Sequence, residues 1–417
     1  MERIIVRSGR QLSGTVRVGG AKNSALKLMA ASLLAPGVTS LRNVPDISDV
    51  EVMAQVLERL GARVVRSDHS LTIDATHLTS HEAPYDLVAQ MRASTCVLGS
   101  LVGRLGRARV AMPGGCAIGT RKVDMHIEGL RQLGVDISLG HGYIDAETSD
   151  LRGRHILLEF PSVGATENIL MAAVRAEGTT LIENAAREPE IQDLAHFLSA
   201  MGADIDGAGS STITVVGVPE LHAIEHHVIG DRIEAGTYIV AGALGGGPVT
   251  VAGFDPRHLE IVLAKLRQAG VDLEIGDDFV TVRSSGRPSS VDVSTLPYPG
   301  FPTDMQAQFM ALMSIAQGRC VITENVFENR FMFADEIHRM GAEVDVDGHH
   351  AVVQGVTQLS GAPVRCPDLR GGAALVLAGL IAEGETVVTH IHHIERGYEG
   401  FVDKLASLGA DVQLVVD

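Results

Sequence analysis

Leu57-Glu-Arg-Leu-Gly-Ala-Arg-Val64 is the stretch on which the fold turns, because it is one of six. A phrase of the type Leu-x-x-Leu-Gly-Ala/Val-x-Val/Ile/Leu places its glycine at Gly61, Gly134, Gly202, Gly270, Gly341 and Gly409. Successive spacings are 73, 68, 68, 71 and 68 residues, so a unit of about 70 residues repeats. A second series, Gly37, Gly106, Gly178, Gly247, Gly318 and Gly384, runs in phase with the first and follows an almost wholly apolar segment each time. Glycine at such points predicts a left-handed residue just past a helix C-terminus.

Each unit reads alike. An Ala/Leu-rich segment such as Ser24 to Ala35 is apolar nearly all round, which predicts a buried helix. A short strand and a loop follow. Val52, Met53, Val56, Leu57 and Leu60 then mark one face of an amphipathic helix over Val50 to Leu60. Two alternating strands, Arg63 to Arg66 and Leu71 to Asp74 around a Ser-Asp-His turn, close the unit.

The sixth copy runs out after Gly409, where only Ala410 to Val416 and the final aspartate remain. A spare strand, Arg3-Ile-Ile-Val6, stands at the N-terminus, followed by Gln11-Leu-Ser-Gly14, which recurs at Gln358 to Gly361. The N-terminal segment is therefore expected to complete unit six. Residues 22–229 would form one three-unit domain, and residues 1–21 with 230–417 another. Ligands are expected in the cleft between them.

Composition limits what such a protein can do. The chain has 417 residues, enough for two cores; 46 glycines, 4% aromatics and no Trp point to tight turns and small aliphatic interiors. A net charge of −17 argues against a general binder of nucleic acid or membrane surfaces. Cys96, Cys116, Cys320 and Cys366 show no paired spacing, which suits a reducing cytoplasm better than disulfides or zinc. The start of the chain is not that of a signal peptide, and the apolar run Gly371 to Ala382 is too short to span a bilayer. The His-His pairs at 226–227, 349–350 and 392–393 lack metal-ligand spacing and read as solvated or capping histidines, so no metal is expected.

Chemistry concentrates in Pro113-Gly-Gly-Cys-Ala-Ile-Gly-Thr-Arg-Lys-Val-Asp-Met-His126. Three glycines and a proline make a loop that bends sharply, and Arg121 and Lys122 lie close enough to Cys116 to favour its thiolate and attract anions. The two glycine markers are 24, 28, 24, 23, 23 and 25 residues apart in the six units; the excess in unit two lies in this loop, a lid at about residues 112–122. Its G-G-x-x-x-G pattern and the hairpin-ended units set a dinucleotide fold aside. The corresponding loops of units five and six carry Glu328-Asn-Arg330 and Glu395-Arg396-Gly397. Charges also sit where buried helices begin: Lys22-Asn23, Arg92, Asp231-Arg232, Asp304 and Asp368-Leu-Arg370. Helix N-termini attract anions, so a Lys or Arg there implies an anionic ligand or an acidic partner; salt bridges across the domain seam are the plainer alternative.

The motifs Gly20-Ala-Lys-Asn-Ser24, Met91-Arg-Ala-Ser94, Pro113 to Gly119, Ser162-Val-Gly-Ala-Thr166 and Arg187-Glu-Pro-Glu-Ile191 stand in order. Asp231 to Thr237, Phe301 to Gln308, Val326 to Met332 and Arg396-Gly-Tyr398 follow. With them the chain resembles, from end to end, the enolpyruvyl transferases that act on UDP-N-acetylglucosamine at the first committed step of peptidoglycan precursor synthesis. The resemblance implies two inside-out α/β domains, each of three βαβαββ repeats with pseudo-threefold symmetry. It also implies a cytoplasmic enzyme with roles in cell-wall biogenesis, cell shape and division, a target of fosfomycin, with no cofactor and no nucleic-acid or membrane partner. Its substrates would be phosphoenolpyruvate and UDP-N-acetylglucosamine.

By the same resemblance Lys22, Asn23, Arg121 and Arg396 bind phosphoenolpyruvate. Cys116 delivers a proton to C3 and can add covalently to the substrate. Asp304 is the base for the acceptor hydroxyl, and Lys22 and Arg396 complete the catalytic set. Asn23, Arg92, Arg121, Lys122, Val123, Asp124, Met125, Ser162, Val163, Gly164, Asp304 and Val326 contact the nucleotide sugar, and Arg232, Asp368 and Arg370 support the site. A thiol with an ordinary pKa near ~8.5 is mostly protonated at neutral pH and can serve as an acid. Lys122 stands where many members carry proline, and Phe160 where some carry lysine. Other readings keep the reaction but change the acceptor, to shikimate 3-phosphate or another nucleotide, or make the chain a non-catalytic sensor of nucleotide sugars. The lid cysteine disfavours the first, and the presence of both an acid and a base disfavours the last.

Overall fold

The structure, a computed structural model, describes residues 2–113, 119, 123–284 and 286–416. These fall into two compact domains: residues 20–113 and 123–229 form the first, and residues 2–19, 119 and 230–416 the second. Each has its own apolar core.

Among the described residues, six four-stranded sheets repeat one plan. In the second unit Glu82–Ala83 lies parallel to Arg107–Ala111, and the hairpin Asp136–Gly140 and Tyr143–Glu147 continues the sheet antiparallel. Parallel neighbours need a crossover, and the helix Val97–Leu105 provides it. The strands alternate: in Val38–Arg42, Thr39 and Leu41 turn inward while Val38 and Arg42 face solvent. One sheet face therefore packs on helices and the other is wet.

The helices beneath the sheets are α1 (Lys22–Ala31), α2 (Val97–Leu105) and α3 (Val163–Ala173) in the first domain. Their counterparts in the second are α4 (Arg232–Gly245), α5 (Gln306–Met313) and α6 (Leu369–Gly379). Ala, Gly, Leu and Met dominate them, so nothing gives them a solvated face, and nearly every residue is buried. Helices α4, α5 and α6 pack on one another, and α2 packs on both α1 and α3. Helices at the centre and sheets at the periphery make each domain inside-out. The amphipathic helices, such as Ser48–Arg59 with Val50, Met53, Val56 and Leu57 buried, bury one face and expose the other.

The chain ends and crossings carry what the repeat alone did not reveal. Strand β1 (Glu2–Arg7) lies between Glu385–Thr389 and Asp411–Val416, pairing Ile4 with Val388 on one side and Leu414 on the other, and so fills the sixth sheet. Strand β2 (Gly14–Arg17) precedes α1 in sequence yet joins the fourth sheet, parallel to Val249–Ala252. Conversely β3 (Glu225–His227) precedes α4 yet joins the first sheet, parallel to Val38–Arg42. The two edge strands are exchanged where the chain crosses between domains, and each domain closes on itself.

Eleven of the twelve marker glycines have the left-handed conformation expected of them. The exception corrects the reading: α4 ends on Gly246, at φ 80°, while Gly247 leaves no room for a Cβ, which would lie 2.1 Å from the carbonyl of Leu12. The glycine at 247 answers to the incoming N-terminal segment and not to the helix end. Among the described residues no helix is long and apolar enough to cross a membrane.

Candidate active site

In the first domain Lys22 opens α1, where the helix dipole disfavours a cation. Its Nζ lies 2.7 Å from Oδ2 of Asp49, a buried acid in the first turn of Ser48–Arg59. Asn23 is half-buried beside it. Arg92, also half-buried, begins the 3-10 turn Arg92–Cys96 that leads into α2. Val123 is buried, and Asp124 and Met125 start the helix Asp124–Gln132. Ser162 caps α3 by accepting the Ala165 N–H, with Val163 and Gly164 in the first turn. A Cβ on Gly164 would lie 2.8 Å from Cε1 of His126, so this turn approaches the histidine as only glycine can.

His126 has a defined tautomer. The Gly99 N–H donates to Oδ1 of Asn168 at 2.7 Å, which turns the Asn168 amide nitrogen toward Nδ1 of His126, 2.9 Å away. Nδ1 therefore accepts, and the ring proton sits on Nε2. Burial, with Arg92 and Lys27 adding repulsion, pushes the His126 pKa down to about 3.

In the second domain the starts of α4, α5 and α6 meet. Asp231 and Asp368 are ordinary N-caps: Asp231 accepts from Ile233 and Glu234, and Asp368 from Arg370 and Gly371. Arg232 lies over the ring of Tyr298, 5.8 Å from its centroid. Asp304, in the turn before α5, is clamped by two buried arginines. Arg330 Nη2 donates to Oδ1 at 2.9 Å, and Arg370 donates to Oδ2 through Nη2 at 3.0 Å and Nε at 3.2 Å. Burial works against the Arg370 charge, but Tyr398, Asp304 and Asp231 outweigh it and hold the guanidinium above its ordinary range.

Val326 and Phe327 donate their N–H groups to Glu324, a buried carboxylate that also accepts from Thr295 and Thr303. The loop bearing Val326 is thereby fixed to the turn bearing Asp304. Arg396 is half-buried at the end of the turn His392–Glu395. Two residues on, the buried Tyr398 hydroxyl lies 2.9 Å from Thr237 Oγ1 of α4 and accepts from Gln308 of α5 at 3.3 Å. The Arg396-Gly-Tyr398 segment is thus tied to the helix starts around Asp304.

The structure therefore places the described candidates at helix starts or in adjoining loops, within each domain. Cys116, Arg121 and Lys122 lie outside the described residues. The charges at helix starts do form salt bridges, but Lys22–Asp49 and Arg370–Asp304 each close inside one domain, not across a seam. Cys96, Cys320 and Cys366 are buried free thiols, and burial pushes Cys96 and Cys320 up to about 12 and Cys366 higher still; they are packing residues. Sequence reasoning missed Asp49, His126, Glu324 and the buried pair Lys27–Glu167. For Asp49 and for Lys27–Glu167 the signal was present: a charge on a helix face whose other members are apolar.

The chain matches the EPSP synthase (3-phosphoshikimate 1-carboxyvinyltransferase) family over residues 6–405. It belongs to that family. Relatives named UDP-N-acetylglucosamine 1-carboxyvinyltransferase occur in Mycobacterium bovis, 56% identical over 414 residues covering 99% of both chains, and in Geobacter metallireducens, 50% identical over 100% of both. Among solved structures, the enolpyruvyl transferase NikO from Streptomyces tendae superposes with a TM-score of 0.91 at 29% identity, covering 100% of this chain and 99% of that one. EPSP synthase from Acinetobacter baumannii shares the fold at a TM-score of 0.78 and 18% identity, over 100% of both chains.

Proposed function

We propose that this chain transfers the enolpyruvyl group of phosphoenolpyruvate to the 3-hydroxyl of UDP-N-acetylglucosamine and releases phosphate. Full-length identity to transferases named for that acceptor carries the reading. In it the acceptor's 3-oxygen bonds to C2 of phosphoenolpyruvate while C3 gains a proton. Loss of phosphate from C2 of the tetrahedral intermediate, together with a proton from C3, then regenerates the double bond.

The residues supply what this needs. Lys22, Arg121 and Arg396 gather the positive charge that a small, multiply charged anion requires, with Asn23 beside Lys22. Asp304 takes the proton of the acceptor hydroxyl: a carboxylate has about four acceptor directions, so one held by two arginines can still receive a hydroxyl. Arg330 and Arg370 aim it, and Arg232 and Asp368 support neighbouring helix starts. Cys116, in its Gly-rich loop, protonates C3. The nucleotide sugar lies along Asn23, Arg92, Arg121 to Met125, Ser162 to Gly164, Asp304 and Val326. Three buried free thiols fit a reducing, cytoplasmic location. A role in cell-wall synthesis follows from the acceptor.

The test is phosphate release from phosphoenolpyruvate with UDP-N-acetylglucosamine, with shikimate 3-phosphate as the competing acceptor. Turnover with the first alone is expected, and turnover only with the second would overturn the assignment. Cys116→Ala should stop turnover and abolish alkylation by phosphonate epoxides such as fosfomycin. Cys116→Asp, which still offers an acidic proton, should keep part of the rate. An alanine variant at the full rate would remove Cys116 from the mechanism.

A further inference from the structure

We propose that Thr166-Glu167-Asn168, three consecutive residues of α3, form a positioning hub for the first domain's part of the site, and that the Glu167–Lys27 ion pair sets the register of α1. The inference rests on the function proposed above. All three residues are fully buried, and each is bonded to a different part of the domain. Thr166 Oγ1 accepts from Ala186 N at 3.0 Å and donates to the Ser162 carbonyl at 2.8 Å, joining the loop before Pro189–Ala200 to the cap of α3. Glu167 Oε2 lies 2.8 Å from Nζ of Lys27 on α1. Asn168 bonds Gly99 in the first turn of α2 and His126 in the helix Asp124–Gln132.

Three successive residues cover about 200° of a helix, so one turn of α3 reaches neighbours around more than half its circumference. The partners of Glu167 and Asn168 lie in the elements whose starts carry Lys22 and Asn23, Arg92, and Val123 to Met125, while α3 itself carries Ser162 to Gly164. Lys27 lies about 7.5 Å along α1 from Lys22, and Glu167 about 4.5 Å along α3 from Gly164. The pair thus joins the two helices close behind their functional ends.

Stability alone does not account for such a pair. A buried ion pair is often no better than apolar residues of the same volume, and neither carboxylate oxygen of Glu167 accepts a hydrogen bond among the described residues. Burial works against the Lys27 charge, yet Glu167, Cys96 and Glu190 together hold it above the ordinary lysine range. Apolar contacts are non-directional and tolerate sliding, whereas two opposite charges 2.8 Å apart in a buried setting fix a distance between α1 and α3. A misplacement of about 1 Å can cost on the order of 100-fold in rate, so register at this depth matters to Lys22.

The deciding experiment compares wild-type protein with Lys27→Met/Glu167→Leu, Lys27→Glu/Glu167→Lys and Glu167→Gln. Steady-state kinetics with phosphoenolpyruvate and UDP-N-acetylglucosamine would be measured, together with amide hydrogen exchange at residues 24–27. The apolar double variant should melt within a few degrees of wild type, while its KM for phosphoenolpyruvate rises tenfold or more and the 24–27 amides exchange at least tenfold faster. The charge-swapped variant should recover most of both losses. Wild-type KM and exchange in the apolar variant would overturn the proposal, as would a swapped variant no better than the apolar one. If the apolar variant does not fold, Glu167→Gln decides: faster exchange at 24–27 supports the register role, and unchanged exchange refutes it. Absence of phosphate release by the wild type would sink the functional reading instead, and the exchange measurement would still judge the hub.

Discussion

Lys22 in the first domain rests against the carboxylate of Asp49, whereas Asp304 in the second is held by the guanidiniums of Arg330 and Arg370. Both stand at the start of a central helix, Lys22 in the first copy of the repeat and Asp304 in the fifth. The helix dipole favours the aspartate and opposes the lysine, so the lysine needs a buried acid within reach. Matching places in the repeat thus carry opposite charges, which on the proposed function serve as a cation for the anionic donor and a base for the acceptor. The sharpest way to break this comparison is Asp304→Asn. It should cost about 1,000-fold in turnover, within the range of general-base effects, while UDP-N-acetylglucosamine still binds. A variant that retains full activity, checked by phosphate release and calorimetric binding, would strip Asp304 of its role.

Asp49→Asn probes the other side. The variant keeps the shape but leaves Lys22 facing an amide, so a buried charge loses the carboxylate 2.7 Å away. Roughly 2–3 kcal/mol of stability should be lost, as for charged hydrogen bonds generally. The KM for phosphoenolpyruvate should rise about tenfold as Lys22 loses its aim. Urea unfolding and steady-state kinetics would check both. Loss of stability with an unchanged KM would reduce Asp49 to a packing role.

What could be read beforehand followed from periodicity. The two glycine series located six units, and the all-round apolar segments located the central helices, because both patterns are local. The exchange of β2 and β3 between sheets was not legible: Gly14–Arg17 has the same strand character whichever partner it takes, and partner choice is decided at the crossings. Gly247 misled for the same reason, since Leu12 is 235 residues away in sequence. Among the site residues, Lys22, Asp304 and Arg370 stood out because charge at the start of an apolar helix is unusual. His126 did not, because its tautomer depends on Asn168 and Gly99, which meet only in the folded domain.

The two domains should also answer pH in opposite senses. His126 has a folded pKa of about 3, depressed from 6.5, so the folded form binds fewer protons than the unfolded chain between those values. Its stabilising contribution is complete above pH 6.5 and falls by about 1.4 kcal/mol per pH unit as the pH drops toward 3. His126→Gln, which keeps an acceptor for Asn168, should flatten that fall in urea titrations; an unchanged slope would place the proton elsewhere. Glu234, at the start of α4, runs the other way. Burial, with Asp231 adding repulsion, pushes it up to about 7, although Lys404 at 2.7 Å and the Gly19 N–H at 2.9 Å pull it down. Its contribution is complete below pH 4.5 and is lost as the pH rises to 7, because the folded form holds the proton that the unfolded chain releases. The window is narrower than that of His126, so the effect is the smaller of the two. Glu234→Gln should remove the decline between pH 4.5 and 7 and leave the His126 slope untouched. If the same variant altered the fall below pH 4.5 instead, Lys404 would be holding the Glu234 carboxyl below its ordinary range and the contrast between the domains would be lost.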